Sequence, residues 1–134
     1  MADYVTGLAL RGELHAAIER LAETATPCAV VICDVVGLKV VNEREGFLAG
    51  DAVLRRAADR LRAAAPGATL LARLGGDEMV AVFIGPEADA AAATAARVLA
   101  GAEAPPLRSA AVSAGPAAAP GPLIERLYAT MRQS

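Results

Sequence analysis

The chain has 134 residues, which is enough for one domain with a full hydrophobic core. Its formal net charge is −2 at pH 7, so it lacks the positive excess that binds nucleic acids or anionic membranes. Apolar residues make up 55% of the sequence, yet no apolar run approaches the about 20 residues of a membrane span, and the N-terminus lacks a secretion signal. We expect a cytoplasmic protein with no nucleic-acid or membrane partner.

The predicted elements follow the order α-β-α-α-β-β-α-β-α. The first helix covers about residues 12–24, with apolar residues on one face, and Thr26-Pro27 ends it. The continuous apolar run from Cys28 to Asp34 predicts a strand that is buried on both faces and ends in an acid. Such strand ends are where open α/β sheets tend to place their chemistry.

Two helices are predicted after this strand. A loop over 35–39 precedes a short helix to about residue 44, and Gly46 and Gly50 mark the next turn. Asp51 opens an amphipathic helix to about Ala65, where an acid is by default an N-cap or a first-turn residue.

A β-hairpin is predicted where two apolar runs, 69–72 and 80–84, flank Gly75-Gly76. Glycine reaches the positive φ values that tight hairpin turns need. Asp77 and Glu78 directly follow, so two acids would stand at the tip of an apolar hairpin. A plain solvated turn, which favours Gly and Asp, is the alternative interpretation.

The C-terminal part alternates helix and strand. Pro86 is expected in the first turn of a helix that ends near Leu99. A fourth strand covers 108–113 and ends at Gly115, and a last helix runs over about 123–132.

Three residue types bear on chemistry. Cys28 and Cys33 lie five positions apart on a strand, so they face opposite sides and are expected to be inert buried thiols. His15 has no Cys or His at ligand spacing and is expected on the surface. Lys39 is the one lysine among thirteen basic residues. Its compact ammonium suits phosphate, although chance placement is the alternative.

Five segments resemble, in order and spacing, the motifs of the GGDEF family, the catalytic domains of bacterial diguanylate cyclases. They are residues 3–11, 34–42, 46–51, 71–83 and 111–115. The resemblance implies a palm-like α/β (α+β) fold with a mixed or antiparallel central sheet flanked by helices, as in nucleotidyl cyclases. It also implies a single GGDEF-like domain over residues 1–134.

The family's activity is the synthesis of cyclic di-GMP from two GTP molecules, with Mg²⁺ (or Mn²⁺) as cofactor. Each 3′-hydroxyl attacks the α-phosphate of the other GTP and expels pyrophosphate, so catalysis is mainly positioning and charge neutralisation. By resemblance, the carboxylates of Asp34 and Asp77 and the carbonyl of Val35 are the metal ligands. Asp77 and Glu78 are the catalytic acids, and Glu78 would be either a metal ligand or a proton acceptor.

Nucleotide binding is carried over in the same way. The backbone at Val36, Gly37 and Leu38, together with Lys39, would hold phosphates. The guanine edge would be read by the amide–carboxylate pair Asn42 and Asp51, and Gly75 and Gly76 would let the ligand approach closely. Taken singly, each polar residue also has an ordinary explanation as a cap, a helix end or a strand end.

Several positions depart from the family pattern: Leu10 for Asn, Val36 for Asp, Met79 for Phe, Met131 for a phosphate-binding Lys, and Pro66 and Thr69 for the Arg and Asp of product inhibition. We therefore expect weakened triphosphate binding and no feedback at that site. Three hypotheses stay open: a slow diguanylate cyclase, an inactive domain that binds GTP and signals through a partner, and a pure interaction domain. In each subunit of the family one GTP is bound, so the enzyme would need a weak homodimer or a partner protein.

Overall fold

The structure is a computed structural model that describes residues 2–114 and 120–132. Within these ranges the elements follow the predicted order. They are α1 (Arg11–Glu23), β1 (Cys28–Val35), α2 (Leu38–Glu45), α3 (Phe47–Ala64), β2 (Leu70–Arg73), β3 (Glu78–Ile84), α4 (Ala88–Leu99), β4 (Leu107–Ala114) and α5 (Pro120–Arg132).

The four strands form one antiparallel sheet in the order β2-β3-β1-β4. The predicted α+β architecture, an antiparallel sheet flanked by helices, is therefore confirmed. Strand β1 pairs with β3 on one side and β4 on the other, and all eight of its residues are buried. This accounts for its apolar sequence, because a central strand covered on both faces has no polar side.

Helices cover both faces of the sheet. One core cluster joins α3 and α4 to the face that carries Cys33, and a second joins α1 and α5 to the face that carries Cys28. Both thiols are buried, as predicted from their spacing. Burial raises the pKa of Cys33 to about 12, which keeps this thiol protonated and inert.

Some predicted helix starts are wrong. Helix α3 begins at Phe47, directly after Gly46, because Gly46 breaks the chain with φ +89° and the helix resumes at once. Asp51 therefore lies inside the helix, and the N-cap interpretation of Asp51 is wrong. Helix α4 begins at Ala88, two residues after Pro86, while α5 already begins at Pro120. The predicted strand end at Gly115 lies outside the described residues.

The hairpin is present, but its turn differs from the predicted one. The Leu74 N–H donates to the Glu78 carbonyl at 2.9 Å, within the turn of residues 74–77 that connects β2 and β3. In the part of the chain that the structure describes, the glycines with positive φ are Gly7, Gly37, Gly46 and Gly85. The positive-φ explanation for Gly75 and Gly76 is therefore wrong.

Candidate active site at the end of the central strand

The site begins where strand β1 ends beside the hairpin turn. Asp34 lies opposite Glu78 in the β1–β3 register, and the Val35 N–H donates to the Asp77 carbonyl at 3.0 Å. Asp34 is buried, with 7% of its surface exposed. The sheet thus brings Asp34 beside the consecutive acids Asp77 and Glu78, which lie more than forty positions later in the sequence.

The negative charge of Asp34 acts on both acids of the hairpin. Burial, and then the negative charge of Asp34, raise the pKa of Asp77 above its ordinary value. Burial also raises the pKa of Glu78, and the charges of Asp77 and Asp34 add to that effect. A concentration of negative charge of this kind is relieved by a bound cation.

Tyr128 of α5 holds the third acid, and sequence reasoning did not assign it to the site. Its hydroxyl donates to Glu78 Oε1 at 3.2 Å. Burial and the charge of Glu78 raise the pKa of Tyr128. Its place in the late Tyr-x-x-Met segment was visible in the sequence, but nothing local indicated that α5 passes the hairpin.

Gly75 makes room for this contact. A Cβ atom at Gly75 would lie 2.0 Å from Glu78 Oε1, whereas a Cβ at Gly76 would meet nothing within 4 Å. The first glycine therefore accommodates the Glu78 side chain, and the second leaves open space at the hairpin tip. The structure therefore explains the glycine at position 75, and no contact requires one at position 76.

Arg108 of β4 is the second residue that sequence reasoning missed. It lies opposite Asp34 in the β1–β4 register and donates to both carboxylate oxygens, Nε to Oδ1 at 3.1 Å and Nη2 to Oδ2 at 2.5 Å. This bidentate contact, with the charge of Asp77 close by, raises the pKa of Arg108. No sequence motif marks the arginine, because only the strand register places it there.

The turn between β1 and α2 contains the predicted phosphate-binding residues. Gly37 has φ +77°, a left-handed conformation that glycine adopts readily, and it precedes helix α2. The Val41 N–H donates to the Gly37 carbonyl at 3.2 Å, so the amides of Leu38 and Lys39 are among the N-terminal donors of the helix. The Val36 N–H instead donates to the Pro106 carbonyl at 2.9 Å, an engagement that the sequence did not predict.

Lys39 extends from the first turn of α2 into solvent. Its side chain is 88% exposed, and its ammonium lies 4.0 Å from Glu43 Oε1 one turn later. An exposed pair of this kind contributes little to stability, so it holds the lysine only weakly. The ammonium therefore remains open to an anionic ligand.

The two predicted guanine readers belong to neighbouring helices. Asn42 lies in α2 and Asp51 in α3, and both are partly buried. Between them stands Gly50, where a Cβ would come within 1.7 Å of Asn42 Oδ1. Gly50 thus allows the Asn42 amide to occupy the groove between the helices.

An arginine on β2 fixes the hairpin tip. Arg73 donates to the carbonyls of Gly75 at 3.2 Å and Gly76 at 2.7 Å, and its Nη1 lies 3.2 Å from both carboxylate oxygens of Asp3. Asp3 also accepts from the backbone N–H and the hydroxyl of Thr6 at 2.8 and 2.7 Å. The N-terminal segment and the hairpin are thereby tied into one unit.

The comparisons with known proteins agree with this geometry. The family described as "Diguanylate cyclase, GGDEF domain" matches residues 1–121. The chain belongs to the GGDEF family. An uncharacterized protein in the hutH 5′ region of Streptomyces griseus is 44% identical over 95 residues, which cover 66% of this chain and 39% of that protein.

One further curated relative and one solved structure are also similar to this chain. The diguanylate cyclase TpbB of Pseudomonas aeruginosa is 40% identical over 80 residues, 60% of this chain and 18% of that protein. The crystal structure of the GGDEF domain of DgcB from Caulobacter crescentus, solved in complex with c-di-GMP, superposes with a TM-score of 0.83 at 22% identity, covering 99% of this chain and 88% of that one. At that identity the superposition shows the fold alone. The chain spans well under half the length of either curated relative.

Three positions at which the chain differs from the GGDEF family pattern can be located in the structure. Met131 is 4% exposed and packs in the second core cluster, so position 131 points inward here. Thr69, at one product-inhibition position, donates its hydroxyl to the Val82 carbonyl at 3.2 Å, and Pro66, at the other, lines an apolar groove with Gly67 and Phe83. Neither position offers a charge to an anionic nucleotide.

Two of the acids at this site are donors of the kind that a hard divalent cation takes. Within residues 2–114 and 120–132, no group of three His, Cys, Asp or Glu side chains has the arrangement of a metal site. Asp34 and Asp77 nevertheless supply two hard carboxylates at one sheet end, and Mg²⁺ is commonly bound by one or two carboxylates plus phosphates and water.

In those same ranges no helix combines the length and hydropathy that a membrane span needs.

Proposed function

We propose that this GGDEF domain binds guanine nucleotide and condenses two GTP molecules into cyclic di-GMP with Mg²⁺ (or Mn²⁺), as a slow diguanylate cyclase. Each subunit holds one GTP, so the reaction requires two copies to face each other, as a weak homodimer or within an assembly organised by a partner protein. Because GTP is its substrate, we also propose that the domain works in the cytoplasm.

One observation carries this proposal: the sheet joins Asp34 to the hairpin acids through the Asp34–Glu78 register and the 3.0 Å hydrogen bond from Val35 to Asp77. The raised pKa of Asp77 has burial and the charge of Asp34 as its causes, so the two carboxylates lie within electrostatic reach of each other. A divalent cation would offer positive charge to both carboxylates at once.

Roles can be given to the individual residues. Asp34, Asp77 and the Val35 carbonyl would hold the cation, which neutralises phosphate charge when bound. The amides of Gly37 and Leu38 and the exposed Lys39 ammonium would hold phosphates. Asn42 and Asp51 would read the guanine edge.

Glu78 is the acid that we assign to proton transfer. It is held by Tyr128 at 3.2 Å, and burial raises its pKa. A carboxylate with a raised pKa is a better proton acceptor for a 3′-hydroxyl than an ordinary one. Its hydrogen bond to Tyr128 keeps it oriented without neutralising it.

A second candidate function is supported by the Arg108–Asp34 pair. In this alternative the domain binds GTP, or a related guanine nucleotide, without turnover and acts as a regulatory interaction module. A guanidinium that donates to both oxygens of Asp34 opposes metal binding there. The nucleotide would then be held by α2 and α3 without a reactive geometry.

Turnover separates the two candidates. The protein is incubated with GTP and Mg²⁺ or Mn²⁺ over a range of protein concentrations, and products are resolved by chromatography with mass detection. A cyclase gives cyclic di-GMP at a rate per subunit that rises with protein concentration, and Asp77→Asn abolishes it. The matched control is Asp89→Asn, which removes an exposed acid of α4 near the opposite end of β1 and leaves the rate unchanged.

Calorimetry with GTP completes the assignment. Binding without product at every protein concentration selects the regulatory module. The absence of both binding and product in the presence of Mg²⁺ rejects both candidates and leaves only a scaffold role.

A further inference from the structure

Asp34 has a positively charged partner within its own chain. Arg108 reaches across from β4 and donates to the two carboxylate oxygens at 3.1 and 2.5 Å, the geometry of a bidentate ion pair. Charge-assisted bidentate pairs are the strongest hydrogen-bonded contacts that a carboxylate makes in proteins.

The two partners differ in solvent exposure. The Asp34 side chain is 9% exposed and is fixed at the end of the central strand, whereas the Arg108 side chain is 52% exposed. The arginine can therefore leave the pair by rotating into water, while the acid stays in place. Of the two, only Arg108 is able to make the oxygens of Asp34 available to another ligand.

We propose that Arg108 is an internal counter-ion that competes with the divalent cation for Asp34, so that the metal binds weakly until the guanidinium has left. This inference rests on the proposed function, because it takes Asp34 to be a ligand of the metal. It makes Arg108 a positioning residue that sets the metal affinity of the domain.

The competition follows from charge more than from the number of lone pairs. A carboxylate has about four lone-pair directions, so a guanidinium and a cation could share it in principle. Two positive groups on one carboxylate repel each other, however, and they do so at a carboxylate whose side chain is only 9% exposed. The charge of Asp77 also contributes to the raised pKa of Arg108, so the guanidinium lies within electrostatic reach of both acids that the metal requires.

The nucleotide would relieve this competition. Its phosphates are alternative bidentate acceptors for a guanidinium, so the arginine loses less when it leaves Asp34. Metal and nucleotide should consequently strengthen each other's binding more in the natural protein than in a variant without Arg108.

The test measures metal binding directly, without turnover. Free Mn²⁺ is followed by electron paramagnetic resonance during titration of the natural protein, Arg108→Gln, and the control Arg20→Gln. Arg20 is an exposed arginine of α1 whose groove includes Ile84, at the far end of the β1–β3 register. We expect Arg108→Gln to bind Mn²⁺ at least about tenfold more tightly, which corresponds to about 1.4 kcal/mol, and Arg20→Gln to match the natural protein.

Two further variants locate the effect. In the double variant Asp34→Asn with Arg108→Gln, the gain in affinity should disappear, because the oxygens that Arg108 covers are no longer charged. Arg108→Lys keeps the charge but not the two-pronged contact, so its affinity should fall between those of the natural protein and Arg108→Gln. If circular dichroism shows that Arg108→Gln does not fold, Arg108→Lys decides the question alone.

The outcomes separate this inference from the function on which it rests. Equal or weaker Mn²⁺ binding in Arg108→Gln, with GTP·Mg²⁺ binding intact, overturns the competition and leaves the proposed function standing. The absence of Mn²⁺ binding and of GTP·Mg²⁺ binding in all variants rejects the proposed function and the inference together.

Discussion

The side-chain oxygen of Asn42 lies 1.7 Å from the position that a Cβ atom would take on Gly50. Gly50 belongs to α3 and is one residue before Asp51, so the missing side chain lies between the two predicted guanine readers. A glycine directly before Asp51 thus leaves room for the amide of Asn42, which belongs to the preceding helix.

Gly50→Ala should therefore impair nucleotide binding while leaving the fold intact. The new methyl group would meet the end of a short polar side chain, which can rotate away, and alanine favours the helix by about 0.5–1 kcal/mol relative to glycine. We expect an unchanged or slightly raised melting temperature and a GTP affinity lowered at least about tenfold, the effect of losing about 1.4 kcal/mol of base contacts. Calorimetry and thermal melting measure the two effects.

The matched control for this substitution is Gly12→Ala in α1. A Cβ at Gly12 meets nothing within 4 Å, so the same change there should leave GTP affinity unaltered. Equal GTP affinity in Gly50→Ala and Gly12→Ala would contradict the assignment of Asn42 to the guanine edge.

At the hairpin, Gly75→Ala should change the titration of Tyr128, and Gly76→Ala should not. A Cβ at Gly75 would lie 2.0 Å from Glu78 Oε1, so Glu78 must move away from Tyr128, whereas Gly76 has open space. In a Tyr4→Phe background, where Tyr128 alone titrates by absorbance, Gly75→Ala should lower the pKa of Tyr128, because the negative charge of Glu78 contributes to raising it. Gly76→Ala should leave that titration unchanged, and a shift of equal size in both variants would refute the specific role of Gly75.

Restoring the family's lysine at position 131 should not restore a phosphate contact. Met131 is 4% exposed among Leu14, Leu127 and other core residues, so Met131→Lys would bury an ammonium without a partner. We expect a loss of at least about 2 kcal/mol in the free energy of unfolding, measured by urea denaturation. The control Met131→Leu keeps the volume and should cost less than about 1.5 kcal/mol. Equal stability of the two variants would show that the side chain at 131 reaches solvent.

The Asp3–Arg73 pair should stabilise the hairpin unit in a way that depends on pH. Burial, the largest effect, raises the pKa of Asp3, but hydrogen bonds from Thr6 and the charge of Arg73 outweigh it, so the pKa lies below its ordinary value of 3.8. The contribution of a carboxylate with a lowered pKa is complete above the unfolded-state value and is lost as pH falls through the lowered one. Asp3→Asn should therefore destabilise the domain by about 1–2 kcal/mol, by the same amount at about pH 7 and about pH 5, and by less once the pH falls below 3.8.

Urea denaturation at each pH measures the difference in the free energy of unfolding between Asp3→Asn and the natural protein. Arg97→Gln, which removes an exposed arginine on α4, serves as the control and should change stability by less than about 0.5 kcal/mol. A gap between Asp3→Asn and the natural protein that widens as pH falls from about 7 to about 5 would mean that Asp3 has a raised pKa.

The element order could be predicted from the sequence because each element carries a local pattern. The run Cys28 to Asp34 is apolar at every position before its final acid, and the structure buries all of it at the centre of the sheet. The start of α3 could not be placed in the same way. Phe47 and Leu48 are 75% and 84% exposed, so the first turn of this helix shows no amphipathic pattern to reveal it.

The residues of the site can also be divided into those that a local sequence pattern marks and those that it does not. Asp34, Asp77 and Glu78 were found because each lies at a strand end beside a turn signal. Arg108 and Tyr128 were missed because they reach the site through strand register and helix packing, 74 and 50 residues from their partners. Contacts between residues so distant in sequence leave no periodic or spacing signal in one chain.

Strand β1 is hydrogen-bonded on both edges, to β3 from Cys28 to Asp34 and to β4 from Cys28 to Val35. Its amides should consequently exchange with deuterium only when the entire domain unfolds, whereas the tip at residues 74–77 lies outside the strand pairing, is held by the Arg73 side chain and should exchange sooner. Asp34 therefore lies in the slowest-exchanging part of the molecule, and Asp77 lies in a part that exchanges faster. Any rearrangement that accompanies ligand capture would then be a movement of the hairpin towards a stationary acid.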